Sequence, residues 1–328
     1  MRLTPEEKAE VIELVYNSPD GINKTLKSLN ISKRTFYNWC NAYEQGGIDA
    51  LCPARRTNRQ WNRIPDEVRA FIVEYALEEE NVILSPRELA TKITDEMEVF
   101  ISESSVYRIL KERGLTRQSG YHFVHASDEF HTKTIVPNQM WQTDFTYFKI
   151  IAWGWYYLLT IIDDYSRYII HWELCKTQKW TDVKRAVAQA MEKANLRKGQ
   201  TPILLSDNGS GFIAGELKKH LEDDFGMQQI HGKPMHPQTQ GKIERYHKTI
   251  KSVVKLHNYY CPEELESAIA QFVDYYNNER YHESLKNCTP FQVYFGQDQQ
   301  VLKRREEIKK QTLKQRKLNY FASLKKIA

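Results

Sequence analysis

Residues 140–174 read MWQTDFTYFKIIAWGWYYLLTIIDDYSRYIIHWEL. Aromatic and β-branched side chains crowd this stretch, and such residues suit a pleated, half-buried surface. Short turns divide it into three expected strands, Met140–Ile151, Trp155–Asp163 and Arg167–Leu174. Downstream the period changes. From Thr181 to Ala194, the residues Val183, Ala186, Val187, Ala190 and Met191 share one helical face. Pro202–Ser206 is a short apolar strand, followed by helices near Ala214–Asp224, Gln238–His257 and Glu263–Tyr276. Three meandering strands, a helix, a strand and further helices make a mixed α/β domain.

Upstream the pattern is purely helical. Thr4-Pro5-Glu6-Glu7 is a capping box with proline at the first helical position. Val11, Ile12 and Val15 follow at helical spacing. A short helix carries Ile22, Leu26 and Leu29. After a turn at Asn30-Ile31, Ser32 can cap a third helix with Phe36, Trp39 and Tyr43 inward. This is the helix-turn-helix layout. The third helix would expose Lys33, Arg34, Tyr37, Asn38 and Asn41, residue types that pair with phosphates and base edges. The same spacing also fits a plain three-helix bundle with a polar outer face. The pattern then repeats. Asp66 opens a helix with Val68, Phe71, Ile72 and Tyr75 inward. Ser85-Pro86-Arg87-Glu88 is a second capping box, ahead of Leu89 and Ile93. Ser102 can cap a last helix with Val106, Ile109 and Leu110 inward and Ser104, Tyr107, Arg108 and Lys111 outward. Two linked units of this kind would read a longer site than one. Between them lies PARRTNRQWNRIP, residues 53–65, with Arg55, Arg56, Arg59 and Arg63 and no acid. Such an arm can follow a DNA groove or serve as a tether.

The chain has 328 residues and net charge +5. That length favours two or three domains. The expected division is 1–52 and 66–115 for the helical units and 53–65 for the basic linker. A connector at 116–135, an α/β core at 136–296 and a basic tail at 297–328 complete it. From Leu302 to Ala328 ten Lys or Arg face only Glu306 and Glu307. This run suits a polyanion, or equally a solvated helix. Five scattered cysteines without C-x-x-C indicate neither a disulfide framework nor a thiolate zinc site. No signal-peptide pattern or membrane-length apolar run is present, so a cytoplasmic location and no membrane partner are expected.

Three acids stand out. Asp144 lies mid-strand in W-Q-T-D-F-T, where an unpaired carboxylate would be costly. Its neighbours two away are Gln142 and Thr146. Asp207 ends a core strand in L-L-S-D-N-G-S, where glycines let the chain turn. Glu244 lies on the long helix in H-P-Q-T-Q-G-K-I-E-R. There 62 residues separate the first two and 36 the last two. Lys248, Lys251 and Lys255 follow Glu244 close to one helical face, with Lys242 and Arg245 beside it, as for a DNA backbone or an ordinary surface helix. Asn208, His236 and Gln240 fit either a DNA end or a structured loop. Asp163 and Asp164 read as turn caps paired with Arg167. His122, His125 and His131 read as surface or packing residues.

In this order, W-Q-T-D, S-D-N-G and H-P-Q-T-Q-G-K-I-E-R-Y-H resemble the integrase catalytic core shared by bacterial insertion-sequence transposases and retroviral integrases. Y-Y-N-N-E-R-Y-H-E-S-L-K-N-C-T-P, Tyr275 to Pro290, resembles the segment closing that core. The resemblance covers roughly residues 136–296 and implies a ribonuclease-H-like fold. It identifies the chain as resembling a DDE transposase, with Asp144, Asp207 and Glu244 as ligands of Mg2+, or Mn2+ in its place. Two such ions about 3.5–4 Å apart can run phosphodiester chemistry. The front end resembles insertion-sequence transposases, since the His/Cys zinc module of retroviral integrases has no counterpart. Implied partners are double-stranded DNA, as element ends and target, and further copies of the chain in a DNA-assembled dimer or higher multimer. The alternatives are a DNA-binding regulator that does not cut, and a metal-dependent nuclease that does not join.

Overall fold

The computed structural model describes residues 3–52, 60–116, 134–194, 196, 199–232, 241–255 and 257–325. The chain divides into two compact units, Met1–Arg63 and Ile64–Ala328.

The first unit holds α1 (Pro5–Asn17), α2 (Ile22–Ser28) and α3 (Lys33–Ala50). Thr4 and Glu7 close the capping box from both sides, and Ser32 accepts from Thr35 N to start α3. Ile12, Val15, Leu26, Phe36, Cys40 and Leu51 form its core. Two expected inner residues, Leu29 and Tyr43, are exposed, and Trp39 is half-buried. Cys40 takes the inner position one turn after Phe36. With only seven residues, α2 is about two turns long.

The second unit begins with α4 (Asp66–Leu77), α5 (Pro86–Met97) and α6 (Glu103–Glu112). Ser85 and Ser102 cap α5 and α6 as the sequence predicts. Ile72, Leu89, Ile93, Ile101, Val106 and Ile109 pack their core. A five-stranded sheet follows: β1 (Met140–Ile150), β2 (Gly154–Asp163), β3 (Ile169–Cys175), β4 (Ile203–Ser206) and β5 (Gln229–His231). Its order is β3-β2-β1-β4-β5, antiparallel from β3 to β1 and parallel from β1 to β5. Strand alternation sends side chains to two cores. Trp141, Leu159 and Ile161 meet α7 (Trp180–Lys193) and α8 (Gly215–Phe225) on one face. Phe148, Ile150, Leu158 and Ile162 meet α9 (Gly241–Val254) and α10 (Pro262–Asn278) on the other. The helix expected over Gln238–His257 is described from Gly241 to Val254. An all-helical front followed by an α/β core agrees with the expected fold class.

Strand β5, the short helix α11 (Pro290–Tyr294) and the helix α12 (Asp298–Lys325) are elements the periodicity did not separate. The basic tail is this 28-residue helix. Several of its cations are engaged within the second unit. Arg305 grips Asp95 of α5 through two hydrogen bonds of 2.7 and 2.6 Å. Arg304 pairs with Glu98 at 2.8 Å, and Arg316 donates to the carbonyl of Phe100. Those three charges answer protein groups, and the sequence reading, which left the run open between a polyanion site and a solvated helix, did not anticipate these contacts.

Candidate active site

β4 pairs with β1 only from Met140 to Gln142, with Gln142 opposite Leu205. Two residues further along both chains lie Asp144 and Asp207, so the parallel register brings these two acids to one edge. Asp144 is half-buried. Its Oδ1 accepts from Phe145 N at 2.8 Å, and its Oδ2 lies 3.3 Å from Nδ1 of His247. Asp207 Oδ1 accepts from Gly209 N at 2.9 Å, a local turn that holds the carboxylate at the strand end. A Cβ on Gly209 would stand 3.0 Å from that oxygen, and one on Gly211 would meet the carbonyl of Gln178 at 2.4 Å. The glycines therefore let the loop pass close to both the carboxylate and the neighbouring backbone.

Glu244 projects from the first turn of α9 and is exposed. Two side chains of the buried sheet surface hold that turn. Gln142 Oε1 accepts from Ile243 N at 3.1 Å while its Nε2 donates to Asp164 Oδ1 at 2.6 Å. Lys242 donates to the carboxylate and to the carbonyl of Asp164. Asp163 accepts from Asn138 N and from both donors of Ser166. Asp163 and Asp164 are thus committed to structure, as expected of turn caps. Their partners differ from the expected one, because Arg167 reaches the carbonyls of Asp164 and Tyr165 instead. Lys242, expected to face DNA, belongs to this buried pair. Burial and then the Arg167 charge lower its proton affinity.

The electrostatics connect the three acids. Burial first, and the Asp144 charge next among the raising causes, push the Asp207 carboxyl above its ordinary range. The same two causes, in the same order, raise Glu244. Carboxylates that repel one another gain from a shared cation, and hard oxygen donors suit Mg2+. The donor set therefore fits the expected metal. Among the described residues, no three His, Cys, Asp or Glu side chains close into a ready metal-holding group.

Other expected residues fall as follows. Lys33, Arg34, Tyr37, Asn38 and Asn41 are all exposed on α3. Ser104, Tyr107, Arg108 and Lys111 are exposed on α6, with Arg108 bonded back to Ser104 O and Ser105 Oγ. Arg63, Arg245 and Lys248 are exposed, and Lys251 is half-buried over the Tyr147 ring. Asn208 ties its loop to the carbonyl of Gly232. Arg55, Arg56, Arg59, His122, His125, His131, His236 and Gln240 lie outside the described residues. Tyr246, the residue after Arg245, is fully buried among Phe272 and Tyr276, out of reach of a DNA strand. Sequence reasoning missed His247. Its position three residues after Glu244, one helical turn on, was the available signal.

Integrase core domain models match residues 136–237 and 225–290. A helix-turn-helix domain model matches 7–59, and a homeodomain-like model matches 35–110. An uncharacterized transposase-like protein of Haemophilus influenzae is 30% identical over 47% of this chain and 69% of its own length. The transposase for insertion sequence element IS629 of Shigella sonnei is 28% identical over 47% of this chain and 51% of its own length. The catalytic core domain of BIV integrase superposes on 50% of this chain and 97% of its own, with TM-score 0.39 and 21% identity.

Proposed function

Because this chain belongs to the family of integrase-core transposases, we propose that it binds the ends of a mobile DNA element and moves them by strand cleavage and strand transfer. Water attacks a phosphodiester at the element end, the P–O3′ bond breaks, and the leaving 3′-oxygen takes up a proton. That 3′-hydroxyl then attacks a target phosphodiester, breaking its P–O3′ bond and releasing a new 3′-hydroxyl. The carrying observation is the parallel β1–β4 register, which brings Asp144 and Asp207 to one sheet edge, with Glu244 on the α9 turn that Gln142 holds against β1. These acids would hold Mg2+, which would supply Lewis-acid polarisation of the phosphodiester. His247 orients Asp144, and the Gly209 amide orients Asp207. Gln142 and the Asp164–Lys242 pair set the height of Glu244 against Asp144. Arg245 and Lys248 neutralise phosphates entering the site, while α3 and α6 recognise the end sequence. Joining two ends to one target requires at least two copies of the chain on the DNA.

The test incubates the full chain with Mg2+ or Mn2+, a duplex carrying the DNA that flanks its own gene, and a plasmid target. Joined product is expected. It should vanish in Asp144→Asn, Asp207→Asn and Glu244→Gln while end binding stays within about twofold. Specific binding without cutting in either metal would favour a regulator, and cutting without joining a nuclease.

A further inference from the structure

The outward face of the β1–β2 hairpin carries two large rings. Tyr147 is 49% exposed and Trp155 53%. Lys149 sits directly opposite Trp155 in the antiparallel register, and Tyr147 is the preceding residue of β1 on that face. The rings meet edge to face with centroids 5.4 Å apart. Here β1 has already left its β4 partner, so side chains from α9 reach around the free edge. Lys251 Nζ lies 4.5 Å and Lys255 Nζ 5.8 Å from the Tyr147 centroid. Lys149 Nζ lies 5.9 Å from the Trp155 centroid.

Among the described residues none of these lysines makes an ion pair with a carboxylate, and burial first, then the Lys255 charge, lowers the proton affinity of Lys251 against the opposing pull of Asp144. Three gathered ammonium groups call for an anion. Exposed rings beside them call for a flat, stackable group. A nucleic-acid strand supplies both, through its phosphates and its base faces. Base stacking outweighs an exposed cation–π contact. A base would therefore displace the lysines from the rings and free them for phosphates. A second copy of the chain is a poor occupant, because an isologous contact would set lysines against lysines. Duplex DNA shows base faces only at its ends, so the platform selects unpaired nucleotides.

We propose that Tyr147 and Trp155, framed by Lys149, Lys251 and Lys255, form a stacking platform for unpaired nucleotides of a DNA strand entering the site at Asp144. Tyr147 lies three residues, about 10 Å, from Asp144 along one strand but on its opposite face. Lys251, which reaches around the β1 edge to the Tyr147 ring and also feels the Asp144 charge, links the two. The inference rests on the reading of the chain as an enzyme acting on DNA ends.

The test uses the full chain without metal and a short labelled oligothymidylate, read by fluorescence anisotropy. Tyr147→Ala and Trp155→Ala should each weaken binding about tenfold. Tyr147→Phe should stay near wild type, and blunt-duplex affinity should change less than about twofold. Oligothymidylate carrying 5-iodouracil should photocross-link to Tyr147 or Trp155. Unchanged affinity in the double variant, or cross-links confined to other residues, would overturn the platform. Loss of self-association at unchanged oligonucleotide affinity would assign the patch to a second copy and overturn it too. The readout needs no joining, so the two readings fail separately. A wild-type chain that cross-links at these rings but never joins DNA would support the platform and sink the transposase reading. A chain that joins DNA without a cross-link at either ring would do the reverse.

Discussion

At the scale of single residues, Asp207 and Glu244 make the proposal testable without any DNA. Both carboxyls are raised by burial and by Asp144. A carboxyl with a raised folded pKa lends stability that is full below its unfolded pKa and is lost as pH rises through the folded value. At neutral pH the ionised group therefore weighs against the fold. Metal-free Asp207→Asn should melt higher than wild type at pH 7 and lose the stabilisation that Mg2+ confers. A lower melting temperature, or an undiminished response to Mg2+, would contradict the assignment. Protons compete with the metal for these oxygens, so joining should fail on acidification at a pH above the usual carboxylate range. Gly211 makes a steric prediction. Its Cβ would meet a carbonyl at 2.4 Å, so Gly211→Ala should cost about 1–3 kcal/mol, read by denaturant titration. Wild-type stability would show that the loop yields.

At the scale of elements, two junctions matter. The first joins α9 to β1 through Gln142, Asp164 and Lys242. Removing one partner of a buried pair leaves an uncompensated charge, worth about 3–5 kcal/mol when burial is complete. Lys242 keeps 33% of its side chain exposed and Asp164 only 4%, so Lys242→Met should fall toward the lower end of that range. A loss well under 1 kcal/mol in chemical denaturation would show that the pair does not hold the helix. The second junction joins α12 to α5 through Arg305 and Asp95, assisted by Tyr281 on the same carboxylate. Arg305→Ala should speed amide exchange over residues 86–112 in the native state, since the α5–α6 turn loses an anchor. Exchange unchanged over that span would mean that α12 is only a passenger.

At the scale of the whole molecule, the chain falls into two compact units. The first unit has its own core of Ile12, Val15, Leu26, Phe36, Cys40 and Leu51, so residues 1–63 expressed alone should give a cooperative helical melt. A featureless thermal scan would show that this unit depends on the rest of the chain. End binding should weaken steeply with salt if phosphate contacts dominate, because each neutralised phosphate releases counterions. Several cations of α12 are engaged on protein groups, so Lys314→Gln should change the salt slope more than Arg305→Gln. Equal slopes would show that Arg305 leaves Asp95 when DNA arrives.

Local pattern carried much of this protein on its own. The caps at Thr4, Ser32, Ser85 and Ser102, the three-strand meander and the order of the acids are properties of near neighbours in sequence. Such signals survive in a linear reading because a helix turn or a strand pair spans only a few residues. Tertiary structure decided what those elements touch. Gln142 meets Ile243 across 101 residues and Arg305 meets Asp95 across 210. No periodicity encodes such pairs. They took Lys242 out of the DNA face, drew α12 onto α5 and set His247 beside Asp144. The physical reason is that a charged side chain is satisfied by whichever partner packing brings within reach, and only the folded chain determines which one that is.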